Sequence, residues 1–156
     1  MLMRDSVKIR AQGCGSTGVV MRDSTGGFIA AANRFLPHAL DTQTAEAFAL
    51  KGGLDLAKMI GSNRFIIQSD CMAVVDTIRD GGFSATAAAA IYEECYSEWR
   101  DLADVSIEHC HREANEVAHL LANVALNSRS TRIWLDGPPS FIVAGMATDV
   151  TILLNE

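Results

Sequence analysis

Apolar residues recur near helical spacing from Thr44 to Ile60, through Ala45, Phe48, Ala49, Leu56 and Ile60, which predicts an amphipathic helix. Gly61-Ser62-Asn63 breaks it, and the compact run Phe65-Ile66-Ile67 reads as a strand that ends just before Asp70. Upstream, Val7 to Ala11 is a short strand candidate followed by the glycine-rich turn Gly13-Cys14-Gly15-Ser16. Thr17 to Met21 is rich in β-formers, Arg22 to Gly27 has hairpin-turn chemistry, and Phe28 to Asn33 returns as a third strand. Three consecutive strands with tight turns predict an antiparallel meander. Asp41 or Thr42 is placed to cap the helix that carries Glu46 in its first turn.

Downstream, Met72 to Arg79 predicts a second helix, stopped by Gly81-Gly82. An alanine-rich helix from about Thr86 to Leu102 carries Ile91, Cys95 and Trp99 on one face, which marks that face as core. Val105 to His109 alternates as a fifth strand. Arg112 to Leu126 gives a last helix with Val117, Leu120, Leu121 and Val124 as its apolar face. The pattern changes after Asn127: Ser128-Arg129-Ser130 has linker character, Asp136-Gly137-Pro138-Pro139 is a turn, and Phe141 to Leu154 is apolar without a clear period. The order of three strands, helix, strand, two helices, strand and helix implies a mixed sheet, a meander extended by parallel strands through right-handed crossovers. One domain over 7–126 follows, with a C-terminal tail, 127–156, to which the pattern assigns no structure.

Composition narrows the function classes. A chain of 156 residues with 49% apolar and 21% charged residues is a globular domain with room for a real core. Its net charge of -6 argues against loose electrostatic attachment to nucleic acid or to an anionic membrane. Binding phosphates would therefore require a local basic strip or a bridging cation. Lys58, Arg64 and Arg79 are three cations spread over two elements, which is ordinary for a solvated face. Cys14, Cys71, Cys95 and Cys110 form no CxxC pair, as expected for free thiols in a reducing compartment. With neither a signal sequence nor a bilayer-spanning run, nuclear or cytoplasmic residence and no membrane partner are the expectation.

Two carboxylates stand out. Glu46 near the start of its helix and Asp70 past the end of its strand can meet in the crevice outside the carboxyl end of a parallel strand. They read either as a metal-holding pair or as a dipole-favoured glutamate and an aspartate capping the next helix. His109, Cys110, His111 and His119 lack the second half of a four-ligand zinc pattern.

The motifs TAEAFAL, IIQSDC and IEHCHREANEVAHLLA, with GVVMRDSTGGFIAAA before them, resemble the ribonuclease H-like domains of plant retroelement reverse transcriptases and their domesticated derivatives. The resemblance spans roughly Val7 to Ala125, with four motifs in order on the expected elements. It implies an α/β ribonuclease H-like fold: a mixed five-stranded sheet, three antiparallel strands plus two parallel, flanked by helices. It also implies an endonuclease for the RNA strand of RNA–DNA hybrids, in which four carboxylates hold two Mg²⁺ or Mn²⁺ ions. One ion would generate the nucleophile and the other would stabilise the leaving oxygen. The implied partner is an RNA–DNA hybrid or structured RNA, read through ribose 2′-hydroxyls across a shallow minor groove.

Carried over by residue, Glu46 matches the helix glutamate and Asp70 the strand-end aspartate, so these two are the expected catalytic metal ligands. Gln12 stands where the first-strand aspartate is expected, and His119 where the last-helix aspartate is expected. An amide brings no negative charge, and imidazole is a poor ligand for Mg²⁺. Asp5, which precedes the strand, and Asp23, in a hairpin turn at the far end of the sheet, are discounted as substitutes. Impaired hybrid cleavage is the expectation, with Gln12→Asp and His119→Asp together expected to raise it. The alternative is a domesticated, non-catalytic module that keeps the fold for nucleic-acid or protein binding. Arg112 matches best the position of a histidine that assists product release in some members.

Overall fold

The computed structural model describes residues 4–13, 15–38, 41–81 and 87–148. Its sheet is built first from β1 (Asp5–Gln12), β2 (Ser16–Arg22) and β3 (Phe28–Phe35), an antiparallel meander. Helix α1 (Thr42–Ile60) leads to β4 (Arg64–Ser69), and α2 (Met72–Asp80) and α3 (Ala87–Arg100) lead to β5 (Asp104–His109). A 3₁₀ turn (Arg112–Asn115) feeds α4 (Glu116–Ser128), and a short strand, β6 (Arg132–Trp134), follows. The strand order is β5-β4-β1-β2-β3-β6, with β4 parallel to both β1 and β5.

The mixed α/β sheet is the expected one, with a sixth strand added. That strand comes from the segment beyond Asn127, which the pattern left without structure. β6 runs antiparallel along the edge of β3, pairing Ala31 with Trp134 and Asn33 with Arg132. Its register is pinned by a side chain: the Asn33 carboxamide oxygen accepts from the Arg132 amide at 2.9 Å. The start of the alanine-rich helix at Thr86 and the apolar run over 149–154 lie outside the described residues.

Both faces of the sheet are covered, and β2 is accordingly buried along its whole length. On one face Val7, Ile9, Val19, Met21, Phe65 and Ile67 pack against α1 and α3, including the fully buried Cys95. On the other, Val20 and Ala31 meet Val117 and Leu121 of α4, and Ile142 from the chain's last described turns fills the remaining space with no exposure. A glycine seats the helix on each face. A Cβ on Gly53 of α1 would lie 2.9 Å from Ile9 Cγ2, and one on Gly18 of β2 would lie 2.0 Å from the Ala118 carbonyl of α4.

The α4 face also carries polar anchors running from sheet to helix. Ser16 Oγ donates to the Ala122 carbonyl at 2.7 Å, and Asn33 Nδ2 to the Leu121 carbonyl at 3.0 Å. Lys8, buried on β1, donates to the Ala114 carbonyl. These bonds satisfy groups that would otherwise be costly to bury.

Candidate functional site

In the parallel pair β1 and β4, Ile9 lies opposite Ser69, so the chain continues into Arg10 on one strand and Asp70 just past the other. Alternation along β1 sends Val7, Ile9 and Ala11 into the α1 core and Lys8, Arg10 and Gln12 to the opposite face. The ends of these strands, the start of α1 and the start of α4 enclose an open cleft of about 610 Å³. Arg10, Gln12, Thr42, Glu46, Arg112, Glu116 and His119 line it.

Glu46 reaches the cleft from the second turn of α1 rather than the first. Asp41 caps the helix by accepting from the Thr44 amide at 2.7 Å, which starts it at Thr42, two residues earlier than the apolar spacing suggests. Burial, and then the nearby Asp70 charge, push the Glu46 carboxyl up to about 7, while Arg10 and the Cys71 thiol pull it back.

Asp70 does not cap α2. Cys71 is the capping residue there and makes no side-chain cap bond. The Asp70 carboxylate instead receives Arg10, with Nη1 at 3.3 Å from Oδ2 and side chains only 12% and 10% exposed. Arg112 approaches the same oxygen, Nε at 3.7 Å, from a side chain that is 77% exposed. One carboxylate oxygen thus serves two guanidinium groups, one sheltered and one open to solvent.

His119 faces the cleft from the first turn of α4. Its Nε2 lies 3.1 Å from Asn123 Nδ2, and its Nδ1 is buried without a hydrogen-bond partner. Burial first, then Arg10, lowers the imidazole pKa, against the pull of Glu116 and Asp70. Gln12 is at the last position of β1, on the face it shares with Arg10.

The other nominated residues divide differently. Asn115 is fully buried and donates to the Ile9 carbonyl at 3.0 Å, so it anchors the 3₁₀ turn to β1. Asp23 is consumed in its hairpin, its Oδ1 accepting from the Thr25 amide, the Thr25 hydroxyl and the Gly27 amide. Asp5 opens β1 opposite Phe65, at the end of the sheet away from Asp70, where burial and then Asp23 raise its pKa. Arg79 donates to the Ile107 carbonyl at 2.9 Å, and Lys58, Arg64 and Arg79 are all exposed. His109 and His111 meet edge to face, with ring centroids 5.9 Å apart, on the exposed rim of β5.

A model of the reverse transcriptase-like family matches residues 5–125, most of the chain. The chain belongs to that family. Solved structures share the fold. Ribonuclease H1 from the archaeon Halobacterium salinarum is 23% identical, with a TM-score of 0.70 over 81% of this chain and 98% of that one. LC11 ribonuclease H1, solved in complex with an RNA/DNA hybrid, is 17% identical with a TM-score of 0.71, over 82% of this chain and 99% of that one. A foamy viral protease–reverse transcriptase solved with dsDNA is 16% identical, with a TM-score of 0.62 over 81% of this chain and 94% of that one. No curated protein matches the chain.

Set against the metal pair that the resemblance implies, the donor set of this reverse transcriptase-like domain is a poor fit. Among the described residues, no three Asp, Glu, His or Cys side chains converge as a group able to hold a metal ion. Of the expected metal pair, Asp70 is already charge-compensated by Arg10, and burial favours the protonated form of Glu46; the other carboxylate lining the cleft, Glu116, is exposed. A hard divalent ion prefers several anionic oxygens. The residue that sequence reasoning passed over is Arg10. Its signal was the two-residue strand period, which puts it on the face of Gln12.

Proposed function

We propose that this domain binds a nucleic-acid strand, an RNA–DNA hybrid or structured RNA, across the cleft at the ends of β1 and β4, and does not cleave it by the metal-dependent route. The observation that carries the reading is the Arg10–Asp70 pair at 3.3 Å, which joins a cation to a carboxylate of the expected metal pair. Family membership and the hybrid held by the LC11 relative support the ligand class.

The chemistry available is positional. Asp70 orients both guanidinium groups, and Arg112, mostly exposed, offers its free N–H donors to a phosphodiester oxygen. Arg10 holds Asp70 in place from below. Gln12 and Thr42 supply neutral donors and acceptors at the rim, suited to sugar hydroxyls.

A labelled RNA–DNA hybrid tests the proposal by fluorescence anisotropy in EDTA, with cleavage followed in parallel in Mg²⁺ and in Mn²⁺. The expected result is salt-sensitive binding in EDTA, weakened by Arg112→Ala, and no cleavage. Cleavage that Asp70→Asn abolishes would overturn the non-catalytic reading. Absence of hybrid binding by the folded protein would overturn the ligand.

A further inference from the structure

Two of the four acids that the resemblance implies are replaced, by Gln12 and His119, and the cleft also holds something additional. Arg10 is a permanent cation under any physiological condition, and its side chain is almost as sheltered as its partner's, at 12% and 10% exposed. It lies on the same β1 face as Gln12, so an aspartate restored at position 12 would project beside it. Its charge is also felt by Glu46 and by His119, the other two positions of the expected ligand set. Arg10 thus pairs with Asp70 and bears electrostatically on Glu46 and His119.

We propose that the Arg10 guanidinium is the resident cation of this cleft, standing in for a divalent ion as the counter-charge of Asp70, so that restoring the missing carboxylates alone does not rebuild a metal site. Arg10 fills this role in the cleft whether or not a nucleic-acid strand binds there. An incoming ion meets a like charge already paired to a principal ligand. To bind, it must displace Arg10 from Asp70 and leave a sheltered guanidinium without its partner. The same pairing gives Arg10 a structural task. It keeps Asp70 and Glu46, two mutually repelling carboxylates, compatible with one cleft.

The test compares Mn²⁺ binding, read from the electron paramagnetic resonance of the free ion, in four purified proteins: the native chain, Q12D/H119D, R10M/Q12D/H119D and R10K/Q12D/H119D. Methionine keeps much of the arginine stem's bulk without charge, whereas lysine keeps the charge. The expected result is that Q12D/H119D and the lysine variant bind Mn²⁺ at least tenfold more weakly than the methionine variant. Melting temperatures give an independent readout: Mn²⁺ raises that of the methionine variant and leaves that of the native chain unchanged. If the methionine variant is unfolded in EDTA, Mn²⁺ is expected to fold it. The proposal is overturned if Q12D/H119D binds Mn²⁺ within threefold of the methionine variant, or if the lysine variant matches it. It is equally overturned if the methionine variant, folded or not, gains nothing from Mn²⁺. Hybrid binding in EDTA, measured on the native chain, separates this outcome from failure of the nucleic-acid reading.

Discussion

Glu46 shows how the cleft's charges trade against stability. Its carboxyl is raised from 4.5 to about 7 in the fold, mainly by burial, with Asp70 adding to the effect. Between those two values the folded chain holds a proton that the unfolded chain releases, so stability falls as pH rises through that window. Glu46→Gln removes the penalty. Urea denaturation is expected to show the variant level with the native chain near pH 4 and more stable above pH 7, by about 1–2 kcal/mol after allowance for partial exposure. A variant no more stable at pH 8 than at pH 4, relative to the native chain, would mean that the carboxyl is not held in this environment. Arg10 could be anticipated from the residue pattern alone, since it sits two positions from Gln12. Its partner could not, because the bond to Asp70 depends on strands sixty residues apart in sequence coming into parallel register.

At the scale of elements, the helices and strands follow local pattern closely, because one buried face imposes a period on each of them. The chief departure is the segment Arg112–Asn115, where a helical turn is expected and a 3₁₀ turn is found. Asn115 donates to the Ile9 carbonyl and Lys8 donates to the Ala114 carbonyl, and these two ties hold the segment against β1. Neither tie leaves a local trace, since the same four residues make an ordinary polar helix start. Gly18 tests how α4 sits on the sheet. Its missing Cβ would fall 2.0 Å from the Ala118 carbonyl and 2.7 Å from the Ala122 amide nitrogen, and backbone cannot rotate aside. Gly18→Ala is therefore expected to destabilise by about 3 kcal/mol in chemical denaturation. Gly137→Ala, whose Cβ would meet nothing within 4 Å, is the control and is expected to be near neutral. Equal effects of the two would refute the close seating.

In the molecule as a whole, the segment past α4 is part of the packed structure. β6 covers the β3 edge, which would otherwise present unpaired backbone groups, and Arg22 Nη1 holds the Met146 carbonyl at 3.0 Å. Ile142 closes the second core with Val20, Ala31, Val117 and Leu121. Ile142→Ala is expected to cost about 3 kcal/mol of stability. A loss under 1 kcal/mol in denaturant would show that the segment does not bear on the core. The hydrophobic pattern hides this role because its apolar residues point both ways. Ile142 is buried while Ile133, Leu135 and Val143 are about half exposed, so no single period emerges.

Local patterning accounts for the order of elements through α4, the mixed sheet and the two chain positions, Glu46 and Asp70, that arrive near the start of α1 and just past the end of β4. Each of these rests on local periodicity, caps and turn residues, which act over a few positions. That Asp70 faces Arg10, that Asn115 is an anchor and that the tail supplies a sixth strand emerge only from the folded arrangement. Those outcomes depend on strand register and on which side chain reaches a given carboxylate across the assembled sheet. A one-dimensional pattern carries no term for either, because the partners meet only after the chain has closed on itself.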